Sequence, residues 1–382
     1  MSAASDAPVP AVPDPRLGAD QGAQQGAQKY VDWEFAKATG RRLVNPGPRV
    51  SPDEAAAIVA QLREAAVTAR EPIATATRLQ SPPDAPAALV VDRAGWMDAN
   101  IDSMASLVAP IIDKVTRAAG SPGHPAGREA SATVSAISGK VTGAETGAVM
   151  SFLASKVLGQ YDLAPQGAPR LLLVAPNIVQ TERELGVDPH DFRLWVAMHE
   201  ETHRVQFTAV PWLRQHLVDR TRELTLDIAP TPTELSERLG EIARRLPEAF
   251  QPGSQGLAEI FLTPEQRTKV EQITAVMSLL EGHADVMMDE VGPSVIPSVA
   301  QIREKFTHRR AGVSGLDRVI RRALGLEAKM RQYSDGAAFV RGVVSRAGLD
   351  GFNAVWSAPD TLPSPSEISD PEAWVRRVHG GG

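Results

Sequence analysis

The sequence predicts a mainly α fold with a small β element. Three observations carry that expectation. Alanine-rich segments recur behind helix-starting residues followed by proline, as in Ser51-Pro52-Asp53-Glu54 and Thr263-Pro264-Glu265. Aromatic residues make up only 5% of the 382, so aliphatic and alanine-rich helices must supply most of the core. One segment alone, Arg170 to Pro176 (RLLLVAP), reads convincingly as a strand.

The elements follow in order. Residues 1–28, rich in Pro, Ala and Gln with no basic start and no apolar stretch, predict a disordered tail and no signal peptide. Residues 29–378 are expected to form a single domain, with 379–382 a flexible C-terminus. A short helix is predicted from Trp33 to Leu43, stopped by Asn45-Pro46-Gly47-Pro48, and a second from Pro52 to about Arg70. Pro82, Pro83 and Pro86 then break the chain before a short apolar run, Ala87 to Val91, that fits a strand. Helical composition returns from Gly95 to Ala118 and from Ala130 to Leu158. The latter carries Gly139, Gly143 and Gly147 at four-residue spacing, which predicts the close approach of another helix. After the strand and a short connection, helices are expected over Pro189 to Phe207, from Pro211 to about Leu226, over Glu234 to Leu246, and from Thr263 to about Glu290. The loop Gln251 to Gly256 separates the last two. Further helices are expected between Val299 and Ala347, followed by Pro/Ser-rich turns before Trp374.

Composition narrows the function. A formal charge of −6 without a basic run argues against nucleic acid or an anionic membrane as the main partner. No segment reaches the ~18 uninterrupted apolar residues of a membrane-spanning helix. The chain contains no cysteine, which removes disulfides, thiol nucleophiles and thiolate metal sites and favours the cytoplasm. Any metal must be held by His and carboxylate. Oligomeric state is left open.

One motif carries chemistry. Trp195 to His203 reads WVAMHEETH, an HExxH inside a predicted helix. Two histidines four residues apart stand about 40° from one another around the axis, one turn apart, so His199 and His203 can reach a single zinc ion. Glu200 beside them is placed to accept a proton from the attacking water. By chance the motif would arise in such a chain with a probability of about 0.01. The apolar neighbours Leu194, Trp195, Val196 and Met198 argue for a buried helix, not a surface one with incidental histidines.

A zinc site needs a third ligand. The extended pattern with a third histidine is absent, because Gln206 and Ala209 occupy the positions of its glycine and histidine. Glu281, 78 residues after His203 in Leu279-Leu280-Glu281-Gly282-His283-Ala284-Asp285, is the better candidate, with His283 as the rival on roughly the opposite helix face. Asp285 shares the face of Glu281 and is expected to hydrogen-bond a ligand histidine and set its tautomer. Tyr333, Arg331 and His308 are candidates to stabilise an oxyanion, Tyr333 foremost because the chain has only 3 tyrosines. The strand Leu171 to Val174 is either an edge strand beside the cleft, able to bind an extended peptide, or a plain core strand. Gln206, Phe207 and Trp212 are expected to pack, as are Met287 and Met288. His124, His190, His216 and His379 are read as surface or loop residues.

These residues also carry a resemblance. WVAMHEETHRVQF (Trp195 to Phe207), Pro211-Trp212-Leu213-Arg214, Glu281-Gly282-His283-Ala284, Lys329-Met330-Arg331-Gln332-Tyr333, Trp356, Leu362-Pro363, Asp370-Pro371 and Trp374 resemble an actinobacterial family of zincin-like proteins classed as metallopeptidases or hydrolases. Val31-Asp32-Trp33 and Pro46-Gly47-Pro48 fit it too, so the likeness spans nearly all but the tail. The family is linked by name to deazaflavin-coenzyme biosynthesis. The resemblance implies a gluzincin-type fold binding one zinc ion through His199, His203 and Glu281, with Glu200 as base and a peptide or amide as substrate. A scaffold of the same shape without turnover, or an amidase acting on a non-peptide metabolite, are the competing readings.

Overall fold

The computed structural model describes residues 31–119, 128–164, 166–228, 262–311 and 326–380, with side chains placed for 31–109, 139–164, 166–227, 262–309 and 335–380. The expected tail, the helix Glu234 to Leu246 and the loop Gln251 to Gly256 lie outside these residues, as does His124. The described residues are mostly helical with one small sheet, as expected.

Several helices begin where the sequence places a cap. α1 (Trp33–Leu43) starts on the side chain of Asp32, which accepts from the Phe35 N–H at 2.9 Å. α2 (Pro52–Thr68) starts on Ser51. A separate α3 (Arg70–Thr77), which the sequence reading did not include, follows after a break at Ala69. β1 (Leu89–Val91) leads to α4 (Arg93–Ala119) and α5 (Arg128–Leu153). The glycine spacing of α5 does bring a helix close. Asp32 donates its N–H to the Gly139 carbonyl at 2.9 Å, and a Cβ on Gly147 would stand 2.3 Å from the Ala36 carbonyl oxygen.

α5 ends earlier than its composition suggests. The chain instead turns into β2 (Gly159–Asp162), and β3 (Arg170–Val174) runs directly into α6 (Ala175–Leu185). α6 replaces the plain connection expected there. Pro176 sits in its first turn, where the missing N–H costs nothing.

The sheet order is β1-β3-β2, with β1 parallel and β2 antiparallel to β3. Leu171 to Val174 therefore form the central strand, and the edge-strand reading is corrected. Leu171, Leu172, Leu173 and Val174 are buried because both sheet faces are covered. Leu173 joins the core of α2, α3, α6 and the next helix, α7 (Pro189–Ala209), while Leu172 and Val174 join that of α1, α4 and the end of α5.

α8 (Pro211–Ile228), α9 (Pro264–Val295), α10 (Val299–Ala311) and α11 (Leu326–Asn353, interrupted at Gly348) complete the helical body. α9 opens on a capping box between Thr263 and Gln266. Short helices α12 (Pro365–Ser369) and α13 (Pro371–His379) bury Ile368 and Trp374 against α8, α9 and α11. α7 packs on α2, α3, α6, α8, α9 and the sheet, so residues on nearly all its sides are buried. Among the described residues no helix is long and apolar enough to cross a membrane.

Candidate metal centre

α7 starts where Asp188 caps it through the Asp191 N–H at 2.9 Å, with Pro189 in the first turn. A helix covered on so many sides must pair its polar groups internally. Arg193 meets Glu182 of α6 at 2.6 and 3.0 Å, Asp191 accepts from Ser298, and Arg204 meets Glu201 at 2.7 Å. These pairs fix α7 in rotation. One stripe of it, His199, His203 and Gln206, faces α9.

There three atoms converge. The Nε2 atoms of His199 and His203 are 3.2 Å apart, and each is 3.6 Å from Glu281 Oε2. Metal–ligand lengths of about 2.0–2.2 Å in a tetrahedral zinc site correspond to ligand–ligand separations of about 3.4 Å. The triangle fits that size, and the three donors are the types zinc takes. The rings stand at 87° to one another. Side-chain exposures of 29%, 13% and 23% for His199, His203 and Glu281 leave the triangle open to an approaching molecule.

Electrostatics follow from the same contacts. Burial opposes a charge on His203, but Glu281, Glu200 and the hydrogen bond to Gln206 outweigh it and lift its pKa to about 9. Burial also disfavours a charged Glu281, yet the two histidines hold it well below the ordinary carboxylate range. Glu200, 6% exposed, is pushed up by burial, partly offset by His199 and His203.

Glu200 is backed by β2. Gly159 and Tyr161 face α7, and Tyr161 stacks on Phe207 with centroids 5.3 Å apart. Gln160 and Asp162 face α4, bonded to Trp96, Asn100 and Ser103. Val174 donates its N–H to the Leu158 carbonyl at 2.8 Å. The alternation of antiparallel pairing then turns the peptide groups of Gly159 and Tyr161 to the outer edge of β2. β2 is the strand at this end of the sheet, and the face of its Gly159 lies against Glu200, a neighbourhood the sequence had offered to β3.

The expected supports are revised. Asp285 does not touch a ligand histidine. It is exposed and faces Arg303 at 3.6 Å and Arg341 at 3.8 Å, because the wheel position that places it under Glu281 turns it out to solvent one turn later. His203 Nδ1 instead meets Gln206 Oε1 at 3.1 Å. The i, i+3 spacing of His203 and Gln206 was the signal in the sequence. His283 is fully buried, stacked on Phe352 at 5.4 Å and bonded to Gln206, so it does not join the triangle. His308 is exposed on α10. Tyr333 and Arg331 fall within α11, but their side chains lie outside the described ones. His190 and His379 are exposed, and Met287 and Met288 are buried in the core. A second cluster, Asp188, His190 and Asp191, lies at the start of α7, where Asp188 caps the helix and Asp191 holds Ser298.

Comparison with known proteins gives the family. Residues 31–375 match the family described as zincin-like metallopeptidase. A crystal structure described as a candidate hydrolase with a novel fold, from Chloroflexus aurantiacus, is 30% identical. The match covers 92% of this chain and 100% of that one, with a TM-score of 0.65. No curated protein matches the chain.

Proposed function

The chain belongs to the zincin-like metallopeptidase family, and on that premise we propose that it is a zinc-dependent hydrolase that cleaves a peptide or amide bond. The observation that carries the reading is the convergence of His199, His203 and Glu281 from two helices to within 3.2–3.6 Å of one another. These three would hold one zinc ion. When bound, zinc supplies Lewis-acid polarisation of a carbonyl and lowers the pKa of water toward ~7.

The remaining work falls to the chain's own side chains. Glu200 follows the first ligand directly and is buried beside the triangle. Its raised pKa suits a base that takes a proton from the attacking water and returns it to the leaving amine. The outward peptide groups of Gly159 and Tyr161 offer an edge along which an extended peptide could pair, placing its scissile bond beside Glu200. The lack of cysteine is in keeping with a cytoplasmic enzyme.

The test is metal content and turnover of untagged protein purified without chelators. Wild type and Glu200→Gln should each hold close to one zinc per chain, and His203→Ala should lose it. Hydrolysis of a peptide library should vanish in Glu200→Gln. Metal-free wild type would overturn the reading, and product profiles unchanged by Glu200→Gln would point to a scaffold. Cleavage of small amides while peptides resist would assign the amidase.

A further inference from the structure

Gln206 is fully buried and makes three hydrogen bonds, each to a different part of the centre. Its Oε1 faces His203 Nδ1 at 3.1 Å, and its Nε2 faces both the Leu280 carbonyl and His283 Nδ1 at 2.9 Å. The Leu280 carbonyl can only accept, so the amide must turn its NH2 toward α9 and its oxygen toward His203. With Oε1 accepting, His203 must carry a proton on Nδ1, and in the neutral ring that a metal requires the lone pair of Nε2 then points into the triangle. With the second N–H spent on His283, that ring accepts through Nδ1 and carries its proton on Nε2. Among the described residues His283 Nε2 has no hydrogen-bond partner, and its ring lies between Phe352 and Trp356.

We propose that Gln206 is the positioning residue of the metal centre, one amide that sets the tautomer of His203 and ties α7 to α9 one residue before Glu281. The inference rests on the zinc reading above. A side chain that filled space would need no such polarity. Here the direction of the amide is dictated by a backbone carbonyl on one helix and read out by a ligand ring on the other. Removing an outer partner of a ligand histidine typically costs 10–100-fold in metal affinity.

Zinc affinity, measured by chelator competition on the full chain, separates the possibilities. Gln206→Met keeps the length and removes both polar functions, and should weaken zinc about 10–100-fold. Gln206→Glu keeps an acceptor for His203 and should recover part of that loss, although it buries a charge. If Gln206 only fills space, Met should serve as well as wild type and better than Glu, and that order would overturn the proposal. A second measurement needs no variant. In zinc-loaded wild type with 15N-labelled histidine, His203 should be protonated on Nδ1 and His283 on Nε2 alone. Metal bound through His203 Nδ1, or a proton on His283 Nδ1, would overturn it equally. Failure of the zinc reading itself looks different: wild type would then bind no zinc.

Discussion

Gly159 lies so close to Glu200 that a methyl group added to it would stand 2.5 Å from Cγ and 2.6 Å from Cδ of that side chain. These are contacts no side-chain carbon tolerates, and they fall in the middle of the glutamate, where rotation of its tip gives no relief. Gly159→Ala should therefore displace Glu200 without touching the metal ligands. Zinc content should stay as in wild type while turnover falls by about 10²-fold, the cost of misplacing a reacting group by about 1 Å. Equal loss of metal and activity would show that β2 supports the whole centre.

Gly282 and Gly336 form the second such contact. A Cβ on Gly282 would lie 2.1 Å from the Gly336 carbonyl carbon, and one on Gly336 would lie 1.9 Å from the Ser278 oxygen. Both clashes are with backbone, so α9 and α11 would have to separate. Either substitution to alanine should destabilise the protein by about 3 kcal/mol, the upper end for overpacking. Zinc binding should weaken too, since Glu281 adjoins the crossing. Thermal melting and chelator competition measure the two effects.

Protons and zinc compete for His203. In the metal-free protein its pKa of about 9 exceeds the ordinary 6.5, so its pairing contributes stability fully below 6.5 and loses it as pH rises through 9. Glu281 is shifted the other way, and its contribution is present above 4.5 and lost as pH falls. Between them, the pair stabilises the metal-free protein best from about pH 4.5 to 6.5. Zinc requires the deprotonated ring, so its affinity should rise about tenfold per pH unit toward 9 and then level off. Titration calorimetry at pH 7.5 should show about one proton released per zinc. Affinity flat from pH 6 to 8 would contradict this.

Asp285 supplies a control. Because it faces Arg303 and Arg341 in solvent, Asp285→Asn should leave zinc affinity unchanged and shift stability by no more than about 0.5 kcal/mol. A loss like that expected for Gln206→Met would restore Asp285 to the centre.

Much of the helical frame was legible because its starts are local. Asp32, Ser51, Asp188 and Thr263 cap helices by reaching an N–H three residues on, and Pro52, Pro189 and Pro264 follow their caps directly. β2 was not legible. Gly159-Gln160-Tyr161-Asp162 has no apolar alternation and is a strand only because β3 lies beside it. The break at Ala69 and the helix α6 were missed because short elements owe their bounds to what they pack on. Asp285 was misjudged because a helical wheel orders residues around an axis without saying which side the rest of the chain covers.

The chain order of HExxH determined by itself that two imidazoles stand one turn apart with a carboxylate between them, since helical geometry depends on residues only four apart. Which carboxylate completes the triangle, which side chain fixes the ring, and what backs the base were decided by α7 meeting α9 and β2. Those are contacts between residues about 40 to 80 positions apart. Their energy comes from burial and close packing, which local sequence does not encode.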